Sequence, residues 1–172
     1  MPHINRILFP VDFSPRCAKS SLAVRAVAGQ FKVKLSLLHS IGSAPVYQIA
    51  FPDQVYSALR NQLRATATIA MQRFIEGNFS DFPVQQVIEE GEPSEAILAH
   101  AKKSKADLIM MPTHGYGPFR RFLIGSVTAK VLHGALCPVW TSSHVSGARV
   151  VAPGTYRNIL CAADTTSSGR TP

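Results

Sequence analysis

Short apolar runs alternate with longer stretches of helical periodicity along most of the chain. Residues 4–12 (INRILFPVD) form an apolar run rich in branched side chains, the pattern of a buried strand. Ser14-Pro15 comes next, an N-cap residue with proline at the first helical position. The spacing of Ala18, Leu22 and Ala26, with Ala23 and Val27, predicts a helix that buries this face and fades near Gly29. Residues 34–40 (KLSLLHS) read as a second strand. An irregular stretch at 41–52, with Gly42, Pro45 and Pro52, precedes a long helix over 53–76 ended by Gly77-Asn78. A third strand follows at 84–89, then a turn at 90–95 into a short helix carrying Ala96, Ile97, Ala99, His100 and Ala101. The fourth strand, 107–111 (DLIMM), is almost wholly apolar, as a strand covered on both faces must be. A loop at 112–124, a helix at 125–134 and a strand at 139–141 complete the series.

Strands separated by crossover helices predict an α/β fold, a three-layer sandwich around a five-stranded parallel sheet. For a doubly wound order of 3-2-1-4-5, the switch point lies between the first and fourth strands. Ligands bind at such points, beyond the carboxyl ends of the strands. The ligand region is then Pro10-Val11-Asp12 together with the loop that starts at Pro112.

Composition narrows the class without changing the fold. Apolar residues make up 46% of the 172, enough for a continuous core in one domain. No apolar run has the length of a membrane span, and the opening MPHINRILFPVDFS has neither a basic leader nor a cleavage site. A cytoplasmic protein without membrane association is expected. Cys17, Cys137 and Cys161 are far apart and show no zinc spacing, so reduced thiols are expected and no metal site. The net charge of +8 is scattered rather than gathered into a patch, and no aromatic residues interleave with it. Nucleic acid is therefore not expected as a partner.

The loop carries the candidate chemistry. Gly115 and Gly117 permit close backbone approach to a ligand. Gly125-Ser126 opens a helix, whose free N–H groups and dipole favour an anion, and Ser126 adds a hydroxyl. Together these features make a phosphate cradle, although neither a Walker loop nor a dinucleotide fingerprint is present.

Over residues 3–141 the chain resembles the universal stress protein family. Its ATP-binding members carry G-x2-G-x9-G-[ST] after the fourth strand. Here Gly115 is the second glycine, nine residues follow, and Gly125-Ser126 close the pattern. Asp12 at the end of the first strand, His39 in the second, and Ala135-Leu136-Cys137-Pro138-Val139 before the fifth also look like the family. The resemblance implies an adenine nucleotide alpha hydrolase-like fold that binds ATP, with Mg2+ held through the phosphates. Asp12 would meet the ribose or the metal-phosphate region, and Pro10, Val11, His39 and Ser40 would surround adenine. Gly115, Gly125, Ser126 and Val127 would hold phosphates, with Met111 and Pro112 completing the site. Pro112 departs from the pattern, because it occupies the first glycine position and has no N–H to donate.

No G-x-S-x-G elbow or assignable triad is present, so at most slow ATP hydrolysis is expected. The alternative is an interaction module of the same fold that binds no nucleotide and acts by dimerisation. By the resemblance, the homodimer edge would be Val139, Trp140 and Thr141, with Trp140 exposed on it. Residues 156–164 echo residues 4–12 (YRNILCAAD against INRILFPVD). The expected organisation is thus a domain over 1–145, then a linker and the first strand of a truncated second copy over 146–172.

Overall fold

The computed structural model describes residues 4–42, 52–113 and 124–142, together with Leu160. The elements are β1 (Arg6–Pro10), α1 (Pro15–Phe31), β2 (Lys34–Ile41), α2 (Asp53–Asn78), β3 (Val84–Glu90), α3 (Pro93–Ser104), β4 (Leu108–Pro112), α4 (Ser126–Gly134) and β5 (Val139–Ser142). All five strands are parallel, in the order β3-β2-β1-β4-β5, which is the topology expected from the pattern. The proposed linker and second-copy strand lie outside the described residues, apart from Leu160. Among the described residues no helix is long and apolar enough to cross a membrane.

The central strands β1 and β4 carry nearly continuous apolar runs because both faces of the sheet are covered there. Ile7, Phe9, Val11, Leu35, Leu37 and Met110 pack with Cys17, Val24 and Ala28 of α1 and with Met71 and Phe74 of α2. Leu8, Leu38, Ile109 and Met111 face the opposite layer, against Ile97 and Ala101 of α3 and Val131 of α4. The alternation between neighbours is the two-residue period of a strand, and it yields three layers.

Local capping fixes where α1 begins. The Ser14 hydroxyl accepts the Cys17 N–H at 3.1 Å, and Pro15 takes the first helical position. The helix runs past Gly29 and ends on Lys32, left-handed at φ 51°, whose N–H meets the Ala28 and Gly29 carbonyls. Its buried face differs from the expected one. Ala23 is buried as expected, but Leu22 is exposed, and Cys17, Ser20, Ser21, Val24 and Ala28 are buried as well. The two serines tolerate burial because Ser20 donates to the Arg16 carbonyl and Ser21 to that of Ala18. A pattern that counts apolar residues alone misses such positions. Likewise, α2 continues through Gly77 to Asn78, and Trp140 is not exposed as expected but half-buried against the core layer of α1 and α2.

Ser14→Ala removes the cap of a buried helix start and is expected to lower unfolding stability by about 1 kcal/mol. Asp81→Asn breaks the solvent-exposed pair with Arg25 (2.6 Å) and is expected to change it by less than about 0.5 kcal/mol. Urea denaturation of both variants checks this ordering.

Candidate functional site

The site exists because the sheet opens at its centre. The β1–β4 ladder pairs Ile7 with Leu108 and Leu8 with Ile109, then stops. The Val11 N–H goes to the Leu38 carbonyl on one side (2.8 Å), and the Thr113 N–H to the Ser142 carbonyl on the other (3.2 Å). Strand alternation therefore turns positions 10 and 112 toward each other's strand. The next rung would need the N–H groups of Pro10 and Pro112, and neither exists. The strands part there. Close by, the Cys17 thiol lies 3.9 Å from the Pro10 oxygen, and the Thr128 hydroxyl donates to the Pro112 oxygen at 3.1 Å. Thr128 is buried, so this bond ties the first turn of α4 to the end of β4.

Beyond the parted strands lies a cavity of about 450 Å³, within the range of small-molecule sites. Pro10, Val11 and Asp12 form one wall, Ser40 a second, Met111 and Pro112 a third, and Gly125, Ser126 and Val127 a fourth. Nine of the ten expected site residues thus meet around one space. The tenth, Gly115, lies outside the described residues, as does Gly117. Leu38, His39, Pro93, Ile97 and Thr128 also line the cavity. Of these, Leu38, Pro93, Ile97 and Thr128 were not expected. Pro93 and Ile97 belong to α3, which no glycine or spacing linked to the loop; Leu38 and Ile97 look like ordinary core residues in sequence.

Two helix N-termini reach the cavity and they differ. At α3 the Glu92 side chain accepts the Glu95 N–H at 3.0 Å, bonds the Ser94 hydroxyl and pairs with Lys130 at 3.3 Å. The Ser94 hydroxyl foremost, with the Glu95 N–H and Lys130, holds the Glu92 carboxyl below its ordinary range. That end of α3 is already neutralised. At α4 the N-cap is Gly125, which has no side chain to accept a bond. The Gly125 N–H goes back to the Thr113 carbonyl (2.8 Å), and the first-turn N–H groups at Ser126 and Val127 have no intrahelical acceptor. An anion in the cavity would supply one.

The turn between β1 and α1 is strained. Phe13 has φ 62°, a left-handed conformation that bulky residues rarely adopt. The Asp12 carboxylate accepts the Ser14 N–H across it at 3.0 Å, an Asx turn. The Phe13 ring packs on His39 at 4.4 Å and on Phe74 at 5.8 Å, which holds the turn in place. Sequence reasoning passed over Phe13, since its role lies in its backbone. His39 in turn makes a 2.8 Å contact from Nδ1 to the Val11 carbonyl.

Asp12 is the one carboxylate on the cavity wall among the described residues, which include no cluster of three or more metal-ligating side chains. A Mg2+ held mainly by ligand phosphates, with Asp12 near, fits this donor set. Cys17 lies behind the wall with its thiol pushed up to about 12, by burial first and the Asp12 charge in addition. It is a packing group, not a nucleophile.

Comparison with known proteins agrees with this geometry. The universal stress protein family model matches residues 3–142. Universal stress protein MJ0531 of Methanocaldococcus jannaschii is 48% identical over 136 residues, covering 78% of this chain and 79% of the relative. The solved structure of hypothetical protein MJ0577 superposes with a TM-score of 0.71 at 27% identity, covering 81% of this chain and 96% of that one. A universal stress protein from Archaeoglobus fulgidus, solved in complex with dAMP, shares the fold at TM-score 0.51 and 21% identity, with coverage of 81% and 98%.

Two outcomes follow from the turn. Phe13→Ala keeps the left-handed strain and loses the ring, whereas Phe13→Gly loses the ring but relieves the strain. The glycine variant should be the more stable of the two by about 1 kcal/mol in denaturant titration. For Cys17 the folded thiol titrates above its ordinary 9.0, so its stabilising effect is complete below pH 9 and is lost as pH rises toward 12. The stability gap between wild type and Cys17→Ala should therefore narrow above pH 9 in urea melts at stepped pH.

Proposed function

The chain belongs to the universal stress protein family, and we propose that within it this protein is an ATP-binding regulatory module. The observation that carries the reading is the α4 N-terminus, capped by no side chain and opening into a cavity where β1 and β4 stop pairing. The phosphates would lie against the N–H groups of Ser126 and Val127 and the Ser126 hydroxyl, with Gly115 adding to the cradle. Asp12 would meet the ribose or the metal-phosphate region. The base would enter among Val11, Ser40 and Met111, and Mg2+ would arrive on the phosphates.

The reading is binding rather than efficient catalysis. The sequence carries no nucleophile elbow or assignable triad, and Asp12 is engaged with the Ser14 N–H. Slow hydrolysis is the most these residues would support. With this reading go a stress-response role and a cytoplasmic location. A second copy would pair along Val139, Trp140 and Thr141, because β5 is the terminal strand of the sheet. A strict monomer by light scattering at high concentration would exclude that pairing.

Isothermal titration with Mg-ATP should give saturable binding, and Ser126→Ala should weaken it several-fold. Pro112→Gly returns one N–H to the β1 side of β4, where the cavity opens. One regained hydrogen bond is worth on the order of 1 kcal/mol, so affinity should rise roughly five- to tenfold. Absence of heat at millimolar Mg-ATP from folded protein would overturn the reading.

A further inference from the structure

At the amino ends of the strands, opposite the cavity, α3 and α4 finish side by side. Leu98, Ala101, Ala106, Gly134, Leu136 and Cys137 line a groove there of about 380 Å³. Close approach of the two helices makes its floor: a Cβ added at Gly134 would meet the Leu98 Cδ1 at 2.8 Å. Lys102 is one turn beyond Leu98 on the same face of α3, and Lys105 also lines the groove. Burial foremost, then the Asp107 charge, raises the Cys137 thiol, so it stays protonated and acts as apolar lining. Leu136 stands 87% exposed at the edge, and Leu132 of α4 is exposed too.

Positive charge gathers at the same end. Arg6 reaches α3 from β1, its guanidinium donating to the Ser104 carbonyl at 2.7 Å, and Lys102, Lys103 and Lys105 stand on the last turn and cap of that helix. The Lys105 N–H meets the Lys102 carbonyl and the Ala106 N–H that of Ala101. The lysine ammonium groups are therefore not the donors that satisfy this helix end. None of the three belongs to an ion pair among the described residues, where the paired cations are Arg25, Arg60, Arg64, His100 and Lys130. The nearby carboxylate, Asp107, accepts the N–H groups of Asn5 and Arg6. Unpaired cations thus rim an apolar groove.

We propose that this groove docks a partner protein through an acidic segment with an apolar anchor. The anchor packs against Leu98 and Leu136, and the flanking carboxylates meet Lys102 and Lys105. Concavity and charge select this occupant. A bilayer surface has nothing to fill a groove between two helices, and a second copy placed on it by a two-fold axis would bring the same cations. The proposal is independent of the nucleotide reading, since the groove lies at the other ends of the strands.

The test is selection of peptides from an unbiased display library on the full chain, then fluorescence anisotropy of the enriched sequences. These should carry aspartate or glutamate on both sides of a leucine, isoleucine or phenylalanine, and should bind less tightly as salt rises. Leu136→Ser should weaken them several-fold, and the double variant Lys102→Glu, Lys105→Glu about tenfold. All three positions are exposed, so both variants should match wild type in denaturant titration. Replacing the acidic residues of the peptides by lysine should restore binding to the charge-reversed variant, which a folding defect could not do. Enrichment of no peptides, of peptides without acidic residues, or of peptides indifferent to these variants would overturn the proposal. Leu136-dependent binding to phosphatidylglycerol vesicles without peptide binding would overturn it in favour of lipid. A Leu136-dependent mass in light scattering, again without peptide binding, would overturn it in favour of a second copy.

Discussion

The site lies where two hydrogen-bond donors are missing. A parallel sheet zips for as long as each strand offers an N–H on the correct side, and Pro10 and Pro112 withhold them at facing positions one rung beyond Leu8 and Ile109. In the middle of a sheet such a loss would leave carbonyls unpaired. Here the losses fall at strand ends, where the Cys17 thiol approaches the Pro10 oxygen and the Thr128 hydroxyl donates to that of Pro112. The sheet is thus parted at the point where the connections from β1 and β4 diverge.

Everything around the gap follows from that parting. The chain leaving β1 turns through Asp12, strained Phe13 and Ser14 before α1 can start, and ring packing on His39 and Phe74 offsets the strain. The chain leaving β4 returns at Gly125, and Thr128 anchors α4 by its first turn while leaving the helix end open to the cavity. The α3 end on the same cavity is closed by its own glutamate. One open and one closed N-terminus give the cavity a direction, with an anion-favouring side at α4 and an apolar side toward Met111, Leu38 and Ile97.

Much of this was legible in the sequence, for physical reasons that are local. Ser14-Pro15 announced its helix start, the nearly all-apolar DLIMM announced a doubly covered strand, and the alternation of strands and helices announced a parallel, doubly wound sheet. Gly125-Ser126 marked the open helix end, and the spacing from Gly115 marked the family. Pro112 was visible as a departure, but its pairing with Pro10 across the gap was not, because it depends on register between strands a hundred residues apart. Phe13 was missed since a positive φ leaves no trace in residue type when the residue is not glycine. The buried serines of α1 were missed since their hydroxyls are satisfied within the helix, and half-buried Trp140 was misjudged because an edge strand still has one face on the core.

The most direct test of the account is residue-resolved. In an amide NMR titration with Mg-ATP, the largest shifts should fall on Ser126 and Val127 at the open end of α4 and on Val11 and Asp12 across the gap. The amides of the closed α3 end, at Ser94 and Glu95, should move less. Shifts concentrated elsewhere, such as along β5, or none at saturating nucleotide, would contradict the claim that the parted strands and the uncapped helix make the binding site.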